Sequence, residues 1–127
     1  MSASTCSSSG GLRSNFKGTW TYQGATEQTM LFQKFAISEK GSVTASGTDI
    51  NGAFMVNGQV EQNLSFRGQK TYPDHCVYLW GTASIDESKL MMADWNKPVP
   101  LEEIDHFEGK WGFEIDNAEG TFQIILD

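Results

Sequence analysis

Residues 15–24 read NFKGTWTYQG and place an aromatic residue or a glycine at every second position. In an extended chain Phe16, Gly18, Trp20 and Tyr22 lie on one face, and the lysine and threonines between them lie on the other. This period of two is typical of a β-strand with one face in a protein core. The stretch therefore predicts an opening β-strand rich in large rings.

The same alternation recurs along the chain, separated by breaks rich in Gly, Asn and Asp. The runs that we interpret as further strands are residues 30–37, 43–48, 53–57, 60–66, 75–85, 90–95, 111–115 and 122–126. Short strands joined by tight turns, without interleaved helices, favour an antiparallel up-and-down meander. We therefore predict an all-β fold of eight or nine strands that closes into a barrel, because closure removes the exposed edges of the sheet.

The length of 127 residues suits one compact domain. Residues 1–14 are rich in Ser and Gly and have little to bury, so we expect a flexible tail there and a single barrel domain over residues 15–127. Residues 96–110 break the alternation, and Pro100 with the acids after it predicts one helical turn closed by Gly109, or a loop. A long connection among tight turns is also typical of a lid over one mouth of a barrel.

The chain is acidic, with a formal charge of −7 and a pI near 4.7. Its average field repels phosphate and anionic headgroups, so nucleic acid and membrane surfaces are not expected partners. No run approaches the roughly 20 apolar residues of a membrane helix, and the first residues lack the basic and apolar pattern of a leader. We expect a cytoplasmic protein in which Cys6 and Cys76 are free thiols.

The sequence Gly18-Thr19-Trp20 on the first strand, followed by a meander of this length, resembles the calycin barrels, which are the lipocalins, the fatty-acid-binding proteins and the avidins. FKGTW is similar to the start of a fatty-acid-binding protein, and GTW with single later tryptophans is similar to an avidin. The resemblance spans residues 15–127. It implies a barrel that encloses one small ligand, and the oligomeric avidins suggest by analogy that subunits associate.

Two features differ from these families. The late Arg that packs on the first Trp or holds a carboxylate in lipocalins and fatty-acid-binding proteins is missing, since the arginines here are Arg13 and Arg67. The biotin-binding Asn of avidins is replaced by Tyr22. Neither a fatty-acid clamp nor a biotin site is therefore predicted. The run from Gly47 to Val60 is also similar to a loose class of short β domains without assigned activity.

Aromatic residues on the strands are the candidate ligand contacts, because ligand sites in barrels are largely apolar with a few placed polar groups. The residues that we predict to line such a site are Trp20, Tyr22, Phe32, Tyr78, Trp95 and Trp111. The alternative is that these rings fill a packed core, which would leave no empty volume beside the first tryptophan.

No catalytic or metal site is predicted. Asp74, His75 and Cys76 are consecutive, but neighbouring residues on a strand point to opposite faces and do not form a thiol–base pair. The only other histidine is His106, and no Cys-x-x-Cys spacing occurs. If the 96–110 segment were helical, Glu102 and His106 would lie one turn apart, which supports a third hypothesis of a barrel isomerase or cyclase. We expect a non-catalytic protein without a cofactor.

Two predicted strands are apolar on both faces. In residues 30–37, Met30 and Phe32 lie on one side, and Leu31, Phe35 and Ile37 lie on the other. Residues 76–80 show a similar double pattern. An apolar outer face indicates a covering element or subunit, so we expect a homo-oligomer or a protein partner. Two functions follow: a barrel that holds a small, mostly apolar ligand, or an interaction module with a filled interior.

Overall fold

The computed structural model describes residues 16–24, 26–88 and 98–126. In these ranges eight antiparallel strands follow one another round a closed barrel, and the first strand pairs with the last. The strands are β1 (Phe16–Trp20), β2 (Gln28–Ile37), β3 (Ser42–Asp49), β4 (Gly52–Val60), β5 (Ser65–Thr71), β6 (Cys76–Ser84), β7 (His106–Gly112) and β8 (Gly120–Leu126). The predicted all-β meander is confirmed. The predicted tail (1–14) and the predicted strand at 90–95 lie outside the described residues.

Strand β1 explains the glycine of the opening motif. Gly18 is buried, and a Cβ there would lie 2.7 Å from Cε2 of Phe32 and 2.9 Å from Cε of Met30. Only a residue without a side chain lets these two groups pack directly against the backbone of β1. Trp20 is the next inward position and packs on the core at the end of the strand.

Strand β2 corrects the prediction of two apolar faces. The register with β3 shifts between Phe32 and Lys34, which inserts one extra residue as a β-bulge. Because of this bulge Phe32, Phe35 and Ile37 are all buried in the same core. Only Leu31 among the predicted outer residues faces solvent, with 63% of its surface exposed. The bulge therefore removes the main reason to place a partner on this strand.

Strand β6 keeps the predicted alternation. Val77 and Leu79 are buried in the core, whereas Tyr78 and Trp80 lie half-buried on the outer face. Tyr78 pairs with Gln69 on β5 and with β7 on its other side. Of the two strands predicted to be apolar on both faces, β6 has aromatic residues on its outer face in the described structure, and β2 does not.

Two turns differ from their predicted positions. Strand β4 continues through Gly58, which faces Gly68 on β5, and the turn follows only at residues 61–64. Strand β7 ends at Gly112, so Phe113 and the residues after it leave the sheet as a loop instead of continuing the alternation. In the first case strand pairing continues past the predicted turn, and in the second it stops before the apolar alternation ends.

The barrel has two dissimilar ends, for which we use fixed names. The cavity end is formed by the connections 21–27, 50–51, 72–75 and 113–119. The plugged end is formed by the turns 38–41 and 61–64 and by the β6–β7 connection. No helix in the described ranges is long and apolar enough to cross a lipid bilayer.

The β6–β7 connection fills the plugged end. Its described part contains a short 3₁₀ helix, Leu101–Glu103, preceded by Pro100, which agrees with the predicted helical turn or loop. Gly109 does not close that helix, because it lies within β7. Leu101 and Ile104 are fully buried in the barrel core. The backbone N–H of Leu126 donates to the carbonyl of Asp105 (2.8 Å), which fixes the segment to the end of β8.

Candidate functional site

At the cavity end, two charged residues occupy strand positions whose side chains point into the barrel. In β3 the buried positions alternate up to Gly47, and the next inward position is Asp49. In β5 the buried Phe66 predicts by the same alternation that Lys70 points inward. The side chains of Asp49 and Lys70 are 0% and 5% exposed. The barrel interior at this end therefore contains a carboxylate and an ammonium group.

The two charges are paired and further hydrogen bonded. Lys70 Nζ donates to Asp49 Oδ2 at 2.6 Å, and the hydroxyl of Tyr72 donates to the same oxygen at 2.6 Å. The backbone N–H of Asn51 donates to Asp49 Oδ1 at 2.9 Å. Three donors thus satisfy the carboxylate, as a buried charge requires.

Aromatic rings surround the ammonium group. Lys70 Nζ lies 4.4 Å from the ring centroid of Phe54, 5.2 Å from that of Tyr72 and 5.7 Å from that of Trp20. Burial lowers the pKa of Lys70, and the hydrogen bond and charge of Asp49 oppose that shift. Burial also raises the pKa of Tyr72, and the hydrogen bond to Asp49 acts in the same direction.

A cavity of about 60 Å³ lies beside this group and is lined mainly by apolar side chains. Its lining consists of Trp20, Met30, Asn51, Lys70, Tyr72, His75, Val77, Leu79, Trp111, Phe113 and Phe122. Asn51 and Phe113 are exposed, so the cavity opens to solvent between the 50–51 and 113–119 connections. An enclosed cavity of about 150 Å³ accommodates benzene. Only the head of a ring-bearing ligand therefore fits inside, and the remainder would lie in the opening.

The two tryptophans of the cavity differ in their hydrogen bonding. Nε1 of Trp111 donates to the carbonyl of Thr21 at 2.6 Å. Nε1 of Trp20 is buried and finds no acceptor among the described residues. Buried donors are rarely left unpaired in native proteins. Trp20, which lines the cavity, thus has a buried donor without a partner among the described residues.

The structure brings together two of the six predicted ligand residues. Trp20 and Trp111 both line the cavity, and their ring centroids lie 5.7 Å apart in an edge-to-face contact. Tyr22 packs on Trp111 at 5.6 Å, but it is 41% exposed and does not line the cavity.

The other predicted ligand residues lie elsewhere. Phe32 is buried deeper in the barrel, with its centroid 5.2 Å from that of Phe35 and 5.5 Å from that of Phe54. Tyr78 lies on the outer face of β6, opposite the inward-pointing residues of that strand. Trp95 falls outside the described residues. Ring size alone therefore does not distinguish residues of the core, the outer face and the cavity.

Sequence reasoning missed the polar part of the site. Asp49, Lys70 and Tyr72 were not predicted, because each is polar or lies at a turn and the predicted contacts were aromatic residues on strands. A usable signal was present: the strand phase that places Val43 and Ala45 inward also places Asp49 inward. A charged residue at an inward position is unusual and indicates a paired or functional group.

His75 lines the cavity. It lies in the 72–75 connection, where its ring stacks on Tyr72 at 4.6 Å between centroids. Its Nδ1 lies 2.7 Å from Asp74 Oδ1, and this hydrogen bond lowers the pKa of Asp74. Cys76 begins β6 half-buried, and its Sγ accepts a hydrogen bond from Gln69.

The residues of the isomerase hypothesis lie at the plugged end. Glu102 lies in the 3₁₀ helix, which ends at Glu103, and His106 begins β7, so the two do not share a helical turn as the hypothesis required. His106 Nε2 lies 3.0 Å from Nε2 of Gln123. Neither residue lines the cavity at the opposite end of the barrel. In the described ranges no group of three His, Cys, Asp or Glu residues could hold a metal ion.

Charge at the cavity end is acidic outside and balanced inside. The described residues of its four connections include no Lys or Arg, and their carboxylates are Glu27, Asp74, Glu114, Asp116 and Glu119. Inside, the single ammonium of Lys70 is paired with Asp49. The opening therefore disfavours anions, and the interior offers no free positive charge to one.

Comparisons with known proteins add no relative: no protein-family model, curated protein or solved structure matches this chain. The site must therefore be interpreted from its own chemistry. It combines an apolar wall, an aromatic opening, a hydrogen-bonded ion pair and one unmet donor. Such an arrangement can bind a small ligand with an apolar body and a polar head.

Proposed function

We propose that this chain is a non-catalytic binding protein that holds a small, mostly apolar ligand at the cavity end of its barrel. The observation that carries the proposal is the cavity of about 60 Å³ between Trp20, Trp111 and the buried Lys70–Asp49 pair. In a filled barrel these inward positions would pack against one another. Here an opening to solvent coincides with placed polar groups, which is the usual combination at ligand sites.

The ligand that suits this site is uncharged. A carboxylate would need a free cation, but Lys70 already donates to Asp49 at 2.6 Å. The acidic connections around the opening add repulsion for any anion. A neutral head that accepts a hydrogen bond matches the unmet Nε1 donor of Trp20.

The body of the ligand is best supplied by a flat ring. Phe113 at the opening is 52% exposed and its centroid lies 5.7 Å from that of Trp111 in an edge-to-face contact. Aromatic side chains at such distances accept a further ring in stacked or edge-to-face geometry. We therefore propose a ligand such as a small aromatic alcohol, ketone or aldehyde.

The proposal includes a calycin-like assignment for the barrel. Its support is the eight-strand antiparallel closure in chain order and the Gly18-Thr19-Trp20 motif on β1. The interior of an eight-stranded barrel is either filled by side chains or large enough for one small ligand. A cytoplasmic setting is part of the same proposal and is supported by the free thiol of Cys76.

Nuclear magnetic resonance with benzyl alcohol as the probe tests the binding proposal. Titration into ¹⁵N-labelled protein should shift the backbone signals of the cavity end and the indole N–H signals of Trp20 and Trp111. Signals of the plugged end should stay in place. Benzoate, which has the same ring and a negative charge, should give much smaller shifts at the same concentration.

A matched pair of variants completes the test. Asn51→Trp adds a ring at the cavity opening, and Asn57→Trp makes the same change on the exposed outer face of β4. The first should weaken benzyl alcohol binding at least about tenfold, because the added indole occupies the opening that the ligand needs. A tenfold change corresponds to about 1.4 kcal/mol of binding free energy. The second should leave it unchanged. Equal effects of the two variants, or absence of shifts at the cavity end, would refute the proposal.

A second candidate function is self-association or protein binding through the cavity end. Four large apolar side chains in its connections are exposed: Tyr22, Ile50, Phe113 and Ile115. Clustered exposed apolar groups of this kind are typical of contact surfaces. Sedimentation velocity over a wide concentration range tests this candidate, with Ile115→Ser expected to reduce association and Leu31→Ser on the barrel wall as the control. A monomer at every concentration would exclude self-association.

A further inference from the structure

Lys70 is chemically unlike the other lysines of the described chain. Lys17, Lys34, Lys40 and Lys110 are exposed, whereas Lys70 is buried and lines the cavity. Its amine contacts a carboxylate that also holds a phenol hydroxyl, so a proton acceptor and a second donor lie within hydrogen-bond distance of the site. Buried lysines in apolar pockets act as amine nucleophiles toward carbonyl groups.

We propose that Lys70 captures a small aldehyde in the cavity as a reversible imine, with Asp49 as the proton carrier. This inference rests on the proposed function, because the aldehyde must first occupy the cavity as a neutral apolar ligand. It adds a covalent step and a named nucleophile to that function.

The reaction balances without any oxidant or reductant. Asp49 takes one proton from the Lys70 ammonium, and the neutral amine attacks the aldehyde carbon to form a C–N bond. A proton moves from nitrogen to oxygen, which gives a neutral carbinolamine. The carboxylic acid of Asp49 then protonates the hydroxyl, the C–O bond breaks, water leaves and the nitrogen lone pair forms the C=N bond. In sum, an ammonium and an aldehyde become an iminium and water.

The site suits the product as well as the reactant. The iminium carries the same positive charge as the ammonium, so its pairing with the Asp49 carboxylate is retained and no new charge is buried. The rings of Phe54, Tyr72 and Trp20 lie within 5.7 Å of Nζ and stabilise a cation in either form. Burial also lowers the pKa of Lys70, which makes the neutral amine easier to reach at neutral pH.

Reductive trapping of the unmodified protein tests the inference. The protein is incubated at pH 7 with benzaldehyde and cyanoborohydride, which reduces an imine to a stable benzyl amine, and peptide mass mapping locates the label. Lys70 should be benzylated faster than the exposed Lys40 and Lys110, because benzaldehyde bound in the cavity lies beside its amine and burial lowers its pKa. Excess benzyl alcohol should slow labelling of Lys70 and leave the two surface lysines unaffected.

Each outcome separates the covalent step from the binding proposal. Selective labelling that benzyl alcohol suppresses supports the imine at Lys70. If benzyl alcohol binds at the cavity end but Lys70 is labelled no faster than Lys40, the inference is overturned and the binding function stands. If neither compound binds and Lys70 stays unlabelled, both proposals fail.

Discussion

The plugged end and the cavity end are built from the same eight strands, yet one is filled and the other is open. At the plugged end the buried side chains of the described residues are apolar, among them Leu101 and Ile104. At the cavity end two inward positions supply Asp49 and Lys70, which form a buried ion pair beside aromatic rings. Polar residues in the inward phase of two strands thus coincide with the open end of this barrel.

The two ends also differ in how they are stabilised. Burial of an aliphatic side chain at the plugged end contributes about 1.5–3 kcal/mol, without a geometric requirement beyond close packing. The ion pair at the cavity end must first compensate the desolvation of both groups, so its net contribution is small while removal of one partner is severe. Stability at the cavity end is therefore more sensitive to single changes.

The largest expected effect comes from breaking the ion pair on one side. Asp49→Leu should lower the free energy of unfolding by about 3–5 kcal/mol, because Lys70 stays buried without its partner. The double variant Asp49→Leu with Lys70→Met should recover most of this loss. Urea unfolding at pH 7 measures both. A double variant as unstable as the single one would show that the loss is due to packing and not to charge.

The next effect compares one substitution at the two ends. Leu101→Ala and Leu79→Ala remove equal side chains from buried positions, and each should cost about 2–5 kcal/mol in urea unfolding. Only Leu79 lines the cavity, so only its variant should change binding and accept a ligand larger than benzyl alcohol. Equal binding changes in both variants would contradict the division of the barrel into two ends.

The third effect is a dependence of stability on alkaline pH. The raised pKa of Tyr72 means that the folded state retains its proton above the ordinary value of 10.0, where the unfolded chain loses it. The stabilisation is fully present below pH 10.0 and falls as pH rises, by up to about 1.4 kcal/mol per pH unit.

Tyr72→Phe tests this dependence, because phenylalanine cannot ionise. Urea unfolding between pH 9 and pH 11 should show a shallower loss of stability in the variant than in the natural chain. Tyr22→Phe, which changes an exposed tyrosine outside the ion pair, is the control and should retain the natural slope. An identical dependence of stability on pH in all three proteins would contradict the inference that burial and the hydrogen bond to Asp49 raise the pKa of Tyr72.

The smallest effect concerns the outer edge of the cavity end. Tyr22→Ala removes a ring that packs on Trp111 at 5.6 Å but is itself 41% exposed. The loss in thermal unfolding should be about 0.5–1.5 kcal/mol, and binding of benzyl alcohol should change little. A large loss of binding would instead make Tyr22 part of the ligand site, as the sequence predicts.

Much of the fold could be predicted because strand alternation is a local property. Runs of period two, separated by turn residues, were sufficient to predict an antiparallel meander closed as a barrel, which the eight strands confirm. The helical turn near Pro100 was also predictable, since a proline followed by acidic residues is a local signal. The site was less accessible: of six predicted aromatic residues, Trp20 and Trp111 line the cavity.

The sequence by itself determined the all-β class, the approximate positions of the strands and where large rings occur along them. Only the tertiary structure decided which rings meet. The bulge between Phe32 and Lys34 is set by pairing with β3, and it turned an apparent outer face inward. Likewise, Asp49 and Lys70 lie 21 residues apart and meet only because closure brings the ends of β3 and β5 to one mouth of the barrel. Local alternation fixes the direction of a side chain relative to its own strand, but contact between strands depends on register, and register is a property of the whole sheet.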